Sequence, residues 1–144
     1  MIAAGAAVIG SVVGASATIL ATWINQRAQA IRSKNEARLR ERAALYGEFI
    51  TEASRLTLEA LTNKLEEPGT FVKLFGIVGR IRLVAESSTL NAAEECCRRI
   101  INMYGKPNMT VEEIRSAFEH GQIDPLKEFS IACRNELQAI AREY

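Results

Sequence analysis

Residues 2–24 form one unbroken apolar run, IAAGAAVIGSVVGASATILATWI, and the first charged side chain of the chain is Arg27. A helix over this run would reach about 34 Å at 1.5 Å per residue, against roughly 30 Å for the hydrocarbon core of a bilayer. The pattern therefore predicts an N-terminal transmembrane helix over 1–24. Trp23 stands where the run meets Asn25, Gln26 and Arg27, the place of an interfacial aromatic anchor. A cleaved signal peptide fits less well, because positive charge follows the run and does not precede it. A buried or interfacial helix is the other alternative, since Ala and Gly make the run only moderately apolar.

Beyond the run, nothing from Asn25 to about Glu66 breaks a helix except Gly47, which costs roughly 1 kcal/mol relative to Ala and need not end it. Leu39, Ala43, Tyr46, Ile50, Ala53, Thr57 and Ala60 recur at three-to-four spacing. Leu45, Phe49, Leu56 and Leu61 widen that stripe into a core-facing surface. Pro68-Gly69 stops the element. A second helix is expected from Thr70 to Glu86, with Phe71, Leu74, Phe75, Val78, Ile81, Arg82 and Ala85 on its inner side. Ser87-Ser88 marks a break, and Asn91 to Glu94 is a capping box for a third helix ending near Tyr104. One helix over 70–104 is the open alternative. Thr110 to Glu113 is a second capping box, opening a short helix that Gly121 closes. Asp124 with Pro125 starts the last helix, whose apolar side carries Leu126, Phe129, Ile131, Ala132, Leu137 and Ile140. No segment alternates with period two for long enough to make a strand.

The expected fold is all-α: a transmembrane helix continuing into a long helix, then a small antiparallel helical bundle. Residues 25–42 read as a basic juxtamembrane stalk and 43–144 as the bundle. Orientation follows from charge. Arg27, Arg32, Lys34, Arg38, Arg40 and Arg42 stand against Glu36 and Glu41 just after the span, and the positive-inside rule puts that side in the cytoplasm. Trp23, Arg27, Arg32 and Lys34 are the expected membrane-interface residues, with the anionic cytoplasmic leaflet as their partner. Within the span, Ala6, Gly10, Gly14, Thr18 and Thr22 recur every four residues. Such a stripe lets two backbones approach closely and points to a homo-oligomer or a partner membrane protein.

Bulk composition then looks like an average over unlike parts. The chain has 18 basic and 17 acidic residues and is 48% hydrophobic, which excludes a disordered chain and a binder run on bulk positive charge. From Ala43 onward 12 basic residues face 15 acidic ones, so no nucleic-acid partner is expected. Chemistry is thin. His120 is the single histidine, and its place at a helix end suits capping of the last carbonyls. Cys96 and Cys97 are adjacent and Cys133 is alone, a pattern of buried small residues and not of a metal site. No Walker loop, dinucleotide fingerprint, HExxH or GxSxG occurs, so no catalytic, cofactor or metal residue is assigned and no enzyme is expected. In an apolar helix, Arg82 is expected to pair with a carboxylate such as Glu52 or Glu59.

The segments Leu45 to Leu56, Pro107 to Glu113 and Asp124 to Leu137 resemble a group of small uncharacterised bacterial proteins with one N-terminal transmembrane helix and a helical cytoplasmic domain. The resemblance implies a bacterial inner (plasma) membrane setting and carries no activity with it. The leading expectation is a non-enzymatic single-pass membrane protein whose cytoplasmic helices bind or organise a protein partner. The alternatives are a pore-forming or membrane-perturbing protein of holin or toxin type, and a membrane-bound helical enzyme or sensor with an Arg/Glu-lined interhelical pocket.

Overall fold

The structure is a computed structural model that describes residues 3–62 and 67–142; for residues 3–21 and residue 24 it describes the backbone alone. Among the described residues there are five α-helices and no strand: α1 (Ala3–Thr62), α2 (Val72–Val84), α3 (Ser87–Tyr104), α4 (Val111–Glu119) and α5 (Lys127–Arg142), with a 3-10 turn over Pro68–Phe71 ahead of α2. The chain divides into two compact units, Met1–Arg38 and Leu39–Tyr144.

In the first unit most described side chains are exposed, the apolar Trp23 and Ile31 among them, and Asn35 is half-buried. Trp23 is 56% exposed, and the Arg27 guanidinium lies over its ring at 5.1 Å, a cation–π pair one helical turn apart. Arg32 and Lys34 are exposed. No helix among the described residues is long and apolar enough to cross a membrane. From Asn25 onward α1 meets charge at Arg27, Arg32, Lys34, Glu36 and Arg38, and each would have to be desolvated in hydrocarbon.

This corrects the expected architecture. The fold is all-α, but the transmembrane helix, the bilayer partner, the inner-membrane location and the resemblance to single-pass inner-membrane proteins are not supported. The readings as a membrane-tethered partner organiser or oligomer and as a pore fall with the span they require. The expected span over 2–24 and its stripe residues Ala6, Gly10, Gly14 and Thr18 rest on side chains outside the described residues; Thr22 is exposed.

The second unit holds the core. Leu45, Tyr46, Phe49, Ala53, Leu56 and Ala60 form the buried face of α1, as the spacing requires. Against it stand Leu74, Ile77, Val78 and Ile81 of α2, Ala93, Cys96, Cys97 and Ile100 of α3, and Phe129 and Cys133 of α5. Phe49 and Phe129 are fully buried with ring centroids 4.4 Å apart, and Tyr46 meets Phe129 edge-on at 5.9 Å. Such pairs add about 0.5–1.5 kcal/mol beyond the area they bury. α3 packs on both α2 and α5. Phe71, in the 3-10 turn, closes the far end by an edge contact with Tyr104 at 5.3 Å.

Gly47 is accommodated without a break. The turn between α2 and α3 falls at Ala85 and Glu86, both extended, so 70–104 is two helices. α3 begins four residues before Asn91, because Thr89 and Ala93 are fully buried and draw the first turn onto the core. The Asn91–Glu94 box is therefore helix interior and caps nothing. Thr110 and Glu113 do form a reciprocal capping box on α4. Gly121, at φ 65°, takes the left-handed position that follows. α5 starts at Lys127, two residues later than Pro125 suggests.

Candidate functional site

Charged residues on the second unit pair both within helices and between them. Glu52 is 3% exposed on α1, yet its carboxylate receives Arg55 Nη2 at 2.7 Å and Lys73 Nζ of α2 at 3.0 Å. Arg55 reaches on to Glu59 at 2.7 Å. The Arg55 hydrogen bond, and after it the Lys73 ammonium, hold the Glu52 carboxyl below the usual carboxylate range against the opposing effect of burial. Arg80 of α2 pairs with Glu48 of α1 at 2.7 Å. Arg82 is exposed and pairs with Glu94 of α3 at 2.7 Å, not with Glu52 or Glu59. Both of those carboxylates already belong to Arg55.

A second cluster joins α1 to α5. Glu136 is 2% exposed, and its Oε1 accepts hydrogen bonds from Arg42 Nη1 and from Tyr46 Oη, the latter at 2.9 Å. Its Oε2 is buried with no hydrogen-bond partner among the described residues, which costs about 1–3 kcal/mol. Burial, and after it the hydrogen bond to Glu136, raise the Tyr46 hydroxyl above the usual tyrosine value and keep it a donor. Sequence reading passed over this residue. The signal was present: Phe129, Cys133 and Glu136 share the helical spacing of one face, and the third is charged.

A cleft of about 630 Å³ lies elsewhere in the same unit. Ala60 and Leu61 at the end of α1, Met103 of α3, Met109, Ala117 of α4 and Ile123 give it an apolar floor. Its edge carries Arg99, Lys106 and Lys127 with Asp124 and Glu128. Arg99 Nε donates to Glu95 at 3.1 Å, while Lys106 and Lys127 form no ion pair among the described residues. The walls are held by main-chain bonds. Met109 N–H donates to the Leu61 carbonyl at 2.8 Å, and Gln122 N–H to the Ala117 carbonyl at 2.8 Å. Volume, apolar floor and few convergent polar groups match the usual anatomy of a small-molecule site. No local motif encodes the cleft, since it draws on α1, α3, α4, α5 and two loops.

The remaining candidates occupy structural places. His120 caps α4, its Nδ1 lying 2.7 Å from the Ser116 carbonyl. All three cysteines are free and buried, and burial pushes the thiols up, to about 12 for Cys96 and Cys133 and about 11 for Cys97. Among the described residues no group of three His, Cys, Asp or Glu side chains is placed to hold a metal ion. Trp23, Arg27, Arg32 and Lys34 lie in the first unit and line neither the cleft nor the ion-pair clusters of the second. In comparisons with known proteins, no family model matches the chain, and neither a curated protein nor a solved structure matches it.

Proposed function

We propose that the chain is a helical ligand-binding module of the sensor type, whose small amphipathic organic ligand sits in the cleft bounded by Arg99 and Glu128. The observation that carries this reading is the cleft itself, about 630 Å³ with an apolar floor and, at its edge, lysines without an ion-pair partner among the described residues. Met103 and Met109 on its floor suit a ligand of irregular shape, because unbranched thioethers repack at low cost. Binding is favoured over catalysis because the thiols are buried and protonated and the single imidazole is occupied by the Ser116 carbonyl. The test is a screen of small amphipathic acids and amines followed by amide chemical shifts. A ligand should perturb Met103, Met109, Gln122 and Ile123 together, and Ala117→Trp, which fills the floor, should abolish the effect. Shifts that never cluster there, or that survive Ala117→Trp, would defeat the proposal.

A further inference from the structure

Besides Arg99, which Glu95 engages, four charged side chains of both signs edge the cleft. Lys106 belongs to the turn after α3, and Asp124, Lys127 and Glu128 to the start of α5. All four are exposed, and none enters an ion pair or a side-chain hydrogen bond among the described residues. Elsewhere in the unit, opposite charges brought together do pair, as Arg80 with Glu48 and Arg82 with Glu94. Asn102 and Gln122 add side-chain amides to the lining, and an amide serves an ammonium and a carboxylate equally well. Beneath this edge the floor is apolar, with the thioethers of Met103 and Met109 in it.

Taking the cleft as the ligand site proposed above, we infer that its ligand is a free α-amino acid with a large apolar side chain. Lys106 and Lys127 hold its carboxylate, Asp124 and Glu128 hold its ammonium, and the side chain lies on the floor. A ligand of one charge sign meets like charge at the same edge: an organic acid faces the two carboxylates, an organic amine the two lysines. A neutral amphiphile fills the floor and leaves all four charges without a partner. An α-amino acid carries both charges on one carbon, so both head groups stay at the edge while a single substituent enters the cleft. The hydrogen bonds it makes there are charge-assisted at both ends, the stronger class. Lysine's flexible four-carbon stem gives each ammonium the reach to close on the carboxylate. An aromatic side chain suits the floor best, because thioether sulfur makes favourable contacts with ring edges.

The experiment follows the amide chemical shifts of the full chain during titration with L-phenylalanine, hydrocinnamate and phenethylammonium. Hydrocinnamate lacks the ammonium group, and phenethylammonium lacks the carboxylate. L-Phenylalanine should shift Met103, Met109, Gln122 and Ile123 saturably, with a Kd at least tenfold below that of either analogue. Lys106→Gln and Glu128→Gln alter exposed side chains without ion pairs, so folding is not at stake. Each should weaken L-phenylalanine at least threefold. Lys106→Gln should not weaken phenethylammonium, and Glu128→Gln should not weaken hydrocinnamate. Either analogue shifting the same amides at an equal or lower Kd would overturn the amino-acid assignment and leave the cleft standing as a ligand site. Indifference of L-phenylalanine to both variants would overturn it equally. Shifts from none of the three probes would overturn it too, and the cleft falls with it only when the wider screen of acids and amines also fails.

Discussion

Glu136 occupies the position on α5 that Phe129 and Cys133 set up seven and three residues before it, so a carboxylate is buried where spacing asks for an apolar side chain. Removing it strands two donors unequally. Arg42 keeps 26% of its side-chain exposure and reaches water, while Tyr46 is 2% exposed and does not. Glu136→Ala should therefore cost about 2 kcal/mol, the price of one orphaned hydroxyl and a lost charged acceptor, read as a lower urea midpoint. A midpoint equal to wild type would contradict the hydrogen bonds assigned to it. Glu52 makes a pH-dependent contribution. Its folded value is depressed, so its stabilisation is complete above the unfolded carboxyl value and lost as pH falls through the lower folded one. The Tm difference between wild type and Glu52→Gln should be constant above about pH 5 and shrink below about pH 4. Arg55 and Lys73 are more than half exposed, which limits the effect to less than about 1 kcal/mol.

At the scale of elements, α4 is the one whose ends sequence alone could place. Thr110 and Glu113 satisfy each other's backbone within four residues, and Gly121 needs only its own φ, so both signals are complete in the local chain. Thr110→Ala should cost about 1 kcal/mol with no change in m-value. α3 carries a look-alike signal in Asn91 and Glu94, overridden because Thr89 and Ala93 bury fully and extend the helix backward. In α2 the register was half legible. Leu74, Val78 and Ile81 are buried as expected, but Phe75 and Arg82 turn outward and Ile77 turns in. Period alone fixes a stripe's existence, while the neighbour it packs against fixes its centre. The cleft was illegible for a related reason. Its residues come from helix ends and loops that only the tertiary fold brings together, and the Arg82 partner depended on where α3 begins.

For the whole molecule, one buried cluster ties four helices, and the three thiols lie inside it. Thiols held near 11 to 12 are almost wholly protonated at neutral pH, and their burial bars a reagent. Labelling by an aromatic disulfide reagent at mildly alkaline pH should therefore follow global unfolding, with all three thiols reacting at one rate. A single fast thiol would show that its helix opens alone. Phe49→Ala, which empties the contact with Phe129 at the centre of that cluster, should cost about 3–5 kcal/mol and speed labelling accordingly.

The bond from Met109 N–H to the Leu61 carbonyl has a consequence for any molecule that enters the cleft. It joins the last turn of α1 to the loop that walls the cleft, so the Met109 amide exchanges with solvent deuterium only when that join opens. A molecule seated in the cleft must slow this exchange in proportion to its occupancy. Reciprocity then makes the end of α1 an input as well as a wall: whatever unwinds its final turn loosens the grip on the ligand by the same factor.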